Sequence, residues 1–161
     1  MSLPLNFIVE QQISNIPSVF DVSGTMGFSH ELSAAPAIPG GVLPVDRLVQ
    51  VNQPVHIHIQ WKVSGWLTTL FSTADTWRIQ VYMEQFGALD FELPEINSVK
   101  NVPHQPVDPF SYFEVLTIPA NAMKPGIYNM VVSLRLYDQF NNPRPFAAFA
   151  ELGNIEFYKP L

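Results

Sequence analysis

The sequence predicts an all-β protein built as two antiparallel sheets packed face to face, and three observations predict it. Apolar residues recur at every second position in one stretch after another, which is the side-chain period of a strand with one buried face. The stretches are separated by turn formers, and the 15 prolines among 161 residues, about twice the usual share near 5%, fall mainly between the apolar runs. No long amphipathic helix, heptad pattern or internal repeat is present. The length suits one domain over residues 1–161, divided into N-terminal strands (1–32), a connector (33–45) and a main sandwich (46–161).

Phe7 to Gln11 predicts a short edge strand, and residues 19–28 a longer one with Phe20, Val22, Met26 and Phe28 on one face. The glycines of that strand allow a bulge or a close neighbour. Residues 33–45 carry too much proline and glycine for a helix or a regular ladder, so they predict an extended connector setting the N-terminal strands apart. Val55, Ile57, Ile59, Trp61 and Val63 then alternate with His56, His58, Gln60, Lys62 and Ser64, which predicts a half-buried strand with Trp61 as a core pillar. Trp77, Ile79, Val81 and Met83 predict another.

Phe91 to Ile96 predicts a short edge strand, and residues 100–109 a proline-rich loop. Tyr112 to Ile118 predicts the strand before a corner made by Met123-Lys124-Pro125-Gly126-Ile127-Tyr128. From that corner Tyr128, Met130, Val132, Leu134 and Leu136 share one face. Residues 138–145 predict a turn, and Phe146 to Tyr158 a returning strand with a bulge at Gly153.

Trp61 on an early strand, the tyrosine of Pro125-Gly126-Ile127-Tyr128, and about seven short strands over residues 46–158 resemble the immunoglobulin and fibronectin-III-like sandwiches. In those folds a tyrosine at the start of a late strand bonds back to the chain just upstream. The resemblance implies an immunoglobulin-like sandwich, and it implies protein binding or assembly, because such domains most often do that. The absence of cysteine excludes the antibody-type disulfide.

Composition narrows the function. Hydrophobic residues make up 47% and charged residues only 14%, where roughly 25% is usual. That shortage predicts a surface partly covered by a protein partner or a second copy. A formal net charge of -6, with basic residues never clustered, argues against a nucleic-acid partner. Without cysteine there are no thiolate metal sites and no cysteine nucleophile. Residues 1–6 lack a basic leader and no apolar run is long enough to span a bilayer, so a cytoplasmic protein is expected.

His56-Ile57-His58 has the only metal-like spacing, since alternate residues on a strand leave from one face with Cα atoms about 6.6 to 7 Å apart. His30, His104 or Glu84 would have to supply a third ligand. The plainer reading places both histidines on the wet face. No nucleophile elbow accompanies Ser23-Gly24 or Ser64-Gly65. Asp90, Glu92 and Glu95 define no acid–base pair, and Gly40-Gly41 opens no phosphate-binding helix. No enzymatic activity and no cofactor are expected.

The segment Gly65 to Asp75 joins two strands yet carries Trp66, Leu67, Leu70 and Phe71. Apolar residues in a connector need a cover. Leu67, Leu70 and Phe71 have the spacing of a short helix that folds back as a cap; alternatively the four residues form a partner-binding tip. Membrane insertion is disfavoured because no basic residue flanks them. The expected function is a non-enzymatic interaction or assembly module that self-associates or docks on a larger protein, through this tip or through β-augmentation on Phe7, Ile8 and Val9. The alternatives are a small-ligand or metal-binding domain using His56 and His58, and an enzyme without a recognisable signature.

Overall fold

A computed structural model describes residues 5–9, 18–29, 47–87 and 93–161. The described strands, in chain order, are β1 (Leu5–Asn6), β2 (Ile8–Val9), β3 (Asp21–Ser29), β4 (Leu48–Gln50), β5 (Val55–Ser64), β6 (Thr76–Gln85), β7 (Val99–Pro103), β8 (Phe110–Ile118), β9 (Gly126–Tyr137) and β10 (Pro143–Tyr158). One turn of α-helix, α1 (Glu95–Ser98), and a 3-10 helix, Trp66–Leu70, are also among the described elements. The expected connector at 33–45 lies outside the described residues.

The protein is all-β with two sheets. The first is four-stranded in the order β1-β3-β5-β8, antiparallel throughout. The second runs β2-β10-β9-β6-β7, with β4 added parallel to the C-terminal end of β10, and it curls into a half-barrel. Their inner faces share one core. Val55, Ile57, Ile59, Trp61 and Val63 of β5 point into it, and so do Trp77, Ile79, Val81 and Met83 of β6, each fully buried side chain of this kind contributing about 1.5 to 3 kcal/mol. The Trp61 ring stacks on Tyr112 of β8 at 4.7 Å and meets Trp77 edge-on at 6.3 Å, tying the two sheets together.

The corner forms as its sequence predicts: the buried Tyr128 donates its hydroxyl hydrogen to the Lys124 carbonyl at 2.9 Å. The bulge near Gly153 is present as a register shift between Glu151 and Gly153, whose φ is +80°. Gly24 meets a close neighbour, since an added Cβ would lie 2.7 Å from the Gln60 carbonyl oxygen.

Three expectations are corrected. The N-terminal strands are not set apart from the main sheets, because β1 and β3 build half of the first sheet and β2 pairs with β10. Residues 100–103 of the expected proline-rich loop belong to β7, an edge strand on β6, with Pro103 at its end where the missing N–H costs no ladder bond. The strand expected from Phe91 to Ile96 is replaced, where it is described, by α1. Among the described residues no helix is long and apolar enough to cross a membrane.

Candidate functional site at the loop end of the two sheets

Thr76 at the start of β6 pairs with Tyr137 at the end of β9 and with Pro103 at the end of β7. That register brings three loops to one end of the molecule: residues 65–75, 104–109 and 138–142. The start of β3 lies at the same end, because Asp21 pairs with Ser64.

The first loop is held down along its backbone. Trp66 N–H donates to the Ser18 carbonyl at 3.3 Å and Leu67 N–H to the Val19 carbonyl at 3.0 Å, while Gly65 N–H reaches the Asp108 carboxylate at 2.8 Å. Gly65 is required here: its φ is +104°, and a Cβ would sit 2.4 Å from the Val19 carbonyl oxygen. A five-residue helix has no stability of its own, so these bonds and the packing of Leu67 and Phe71 on the core hold it. The Phe71 ring packs edge-on against the stacked Phe20 and Phe146 rings at 5.9 and 5.7 Å, with His104 at 5.8 Å and the Arg144 guanidinium 4.7 Å from its centroid. Trp66 and Leu70 point the other way and remain 54% and 66% exposed. The four residues singled out in the sequence therefore divide into two that cap and two that face solvent.

Beneath this helix lies a buried polar cluster. Trp77 Nε1, which can only donate, lies 3.2 Å from His104 Nδ1, so Nδ1 accepts and the proton of the neutral ring sits on Nε2, which donates to the Thr68 carbonyl at 2.9 Å. Tyr112 Oη stands 3.4 Å from Nδ1 and accepts the Gln105 N–H at 2.8 Å. Burial pushes the His104 pKa below its ordinary value, partly opposed by the Thr68 bond and the Asp75 charge. Burial likewise raises that of the Tyr112 phenol. Asp75 receives Arg144 Nη2 at 3.1 Å on both carboxylate oxygens, tying the loop to β10.

The other two loops are also shaped by their own polar groups. The Asp138 carboxylate accepts the N–H groups of Asn142 at 2.8 Å and Phe140 at 2.9 Å, bonds that hold its pKa below the usual value. They set Phe140, 75% exposed, at the apex of the turn. Val107, 50% exposed, projects from the middle loop, where its N–H bonds to the Gln105 carbonyl. Sequence reasoning missed Phe140 and Val107. The Asp-x-x-Asn-Asn spacing around Phe140 was the available signal, since short polar side chains that bond back to the backbone make tight turns and expose whatever stands between them.

His56 and His58 lie elsewhere, on the outer face of β5. His56 Nδ1 is 2.9 Å from Thr117 Oγ1, and the two imidazole centroids are 6.4 Å apart. The expectation of two wet-face residues is corrected for His58, which is fully buried. Its cross-strand neighbours are Gly27 and Val115, and the Phe113 ring is 6.3 Å away, so facing outward from the core does not mean facing water. Of the suggested third ligands, His104 has both ring nitrogens engaged in the buried cluster, Glu84 stands on β6 in the other sheet, and His30 lies outside the described residues, as do Asp90 and Glu92. Among the described residues no group of three His, Cys, Asp or Glu side chains is placed to hold a metal ion.

No protein-family model matches the chain, and comparison with curated proteins finds no match.

Proposed function

We propose that the chain is a non-enzymatic protein-interaction module of the immunoglobulin-like kind, which self-associates or docks on a larger protein through its loop end. The observation that carries this is the exposure of Trp66 and Leu70 on a helix whose backbone is bonded to Ser18 and Val19 and whose remaining apolar side chains are packed. Large apolar groups held rigidly in water lose little freedom on binding, and buried aromatics dominate interface energies. Phe140 and Val107 on the neighbouring loops widen the surface, and the low overall charge agrees with it. The Tyr128 corner supports the immunoglobulin-like assignment. Against catalysis at this end stands the buried state of His104, whose ring nitrogens are taken up by Trp77 and Thr68.

Replacing Trp66 and Leu70 together with serine tests the reading without touching the core. Proteins retained by the immobilised chain from its own cells, and any self-associated fraction seen by light scattering, should fall by roughly thirty-fold in affinity, the effect of losing about 2 kcal/mol at an interface hot spot. Identical retention and identical mass for the two proteins would refute it.

A further inference from the structure

The outer face of the second sheet plays no part in the loop end. It carries the even-numbered residues of β6 from Thr76 to Glu84 and the odd-numbered residues of β9 from Ile127 to Tyr137, because the residues between them are buried in the core. Tyr82 and Ile127 stand on it 50% and 46% exposed.

The charges of this face are sorted by sign. Arg78 and Arg135 are direct cross-strand neighbours at the end near the loops, and like charges so placed repel. Neutral groups hold Arg78: its Nε donates to Asn101 Oδ1 at 3.2 Å, its Nη2 to Asn141 Oδ1 at 2.6 Å, and its guanidinium lies 4.1 Å from the Tyr137 ring centroid. At the other end Glu84 faces Asn129, whose Nδ2 reaches Glu151 of β10 at 3.5 Å, and Glu156 follows beside Ile127. Arg47, by Gly153, pairs with none of them. Among the described residues neither arginine of the face has a carboxylate partner, and none of the three glutamates has a cation. Arg78 and Glu84 are thus uncompensated charges of opposite sign, about 20 Å apart along one strand.

We infer that this outer face is a homodimer interface, on which a second copy packs with its strands antiparallel to the first and each Arg78 meets the Glu84 of the other chain. The spacing of the charges points to a second copy. A two-fold axis crossing the strands at the level of Val81 and Val132 sets Arg78 over Glu84, and Arg135 over Asn129 between Glu84 and Glu151. The same axis sets Tyr82 over Gln80, Val131 over Ser133 and Ile127 over Tyr137. A foreign partner would have to carry both charges at this separation, whereas a second copy has them by construction. Such a contact uses the same patch on both chains, so association closes at two. Two outward-curved faces meet along a strip, which is small for a specific interface, and the dimer is weak. The contact lies away from Trp66 and Leu70 and does not depend on the loop-end reading.

Sedimentation equilibrium of the full-length chain should show a growing fraction at twice 18.1 kDa as its concentration rises from about 10 to about 500 µM, the range in which a small interface associates. E84R and R78E should each weaken the dimer at least about ten-fold, because the two-fold axis repeats every altered pair. E84R brings the net charge of -6 closer to zero, so general repulsion would act the other way and a loss singles out the pair. Mixed in equal amounts, E84R and R78E should recover the dimer, since each chain then offers the charge that the other has lost. R135E is a second partner for E84R in the mixture, without the bonds that hold Arg78 in its own chain. A monomer throughout that range overturns the proposal, as does a dimer indifferent to E84R. So does failure of both mixtures to recover it when circular dichroism shows E84R and R135E folded. A dimer lost on replacing Trp66 and Leu70 but kept in E84R overturns it too, and leaves the loop-end reading standing alone.

Discussion

Acidifying the folded protein from about pH 7.5 to about pH 5 should destabilise it, with His104 as a principal cause. Nδ1 accepts from Trp77 Nε1–H, so a proton added there sets one N–H against another in a site without solvent. The folded pKa of His104 lies below the ordinary 6.5, first because of burial and further because of the Arg144 charge, against the opposing Thr68 bond and Asp75 carboxylate. A depressed pKa means that the unfolded chain takes up the proton first. The contribution is therefore fully present above pH 6.5, is lost as pH falls from there towards the folded pKa, and levels off below it. The slope approaches about 1.4 kcal/mol per pH unit for one proton. Asp138 has the same sign in a different window: its folded pKa lies below 3.8, so its share is lost only as pH falls below that value. The assay is a set of urea midpoints at intervals of pH, for the native chain and for H104N. Asparagine keeps an acceptor for Trp77 but not the bond to Thr68, and should cost about 1 to 3 kcal/mol at pH 7.5, the penalty of one unpaired buried carbonyl. Because asparagine does not titrate, the gap between the two proteins should narrow towards pH 5. Curves that stay parallel from pH 7 to pH 5.5 would refute the bonding scheme.

Two further outcomes follow from local geometry. Y128F removes the hydroxyl that donates to the Lys124 carbonyl and should lower stability by about 1 to 2 kcal/mol, a melting shift of roughly 2 to 8 °C for a chain of this size; an unchanged calorimetric midpoint would dismiss the corner as a stabilising device. G65A should cost more than about 2 kcal/mol by urea unfolding, because both its φ and the Val19 backbone oppose a Cβ, and should expose residues 65–75 to proteolysis. G87A is the comparator: its φ is +71° but no atom lies within 4 Å, so only the backbone cost of about 1 kcal/mol remains.

The sheets were legible where period two is strong. β5, β6 and β9 read from their alternation because each has one face in the core and one outside. β7 did not read as a strand, because Lys100, Asn101 and Pro103 suit an edge and an edge looks like a loop in composition. α1 is one turn long, too short for any periodicity to register. The candidate site was half legible. Apolar residues in a connector pointed to 65–75, yet which of them cap and which face water depends on Val19, Phe20 and Phe146, far away in sequence. The His104 cluster could not be read at all: Thr68, Asp75, Trp77 and Arg144 come together only through the pairing of β6 with β7 and β9 and of β9 with β10.

The placement of β10 bears on how the chain acquires its structure. Ile8 finds Phe149 and Leu48 finds Glu156, so among the described residues two early strands have their ladder partners only in the last one. During synthesis the first sheet can assemble once β8 has emerged, whereas β2 and β4 must wait with unsatisfied backbone until nearly the whole sequence is available. Closing such distant pairings is slow, because loop entropy is lost before the contacts repay it. A chain cut short of residue 143 would carry every described strand of the first sheet, while its second would lack the strand that gathers β2, β4 and β9, and chaperones would meet it in that form.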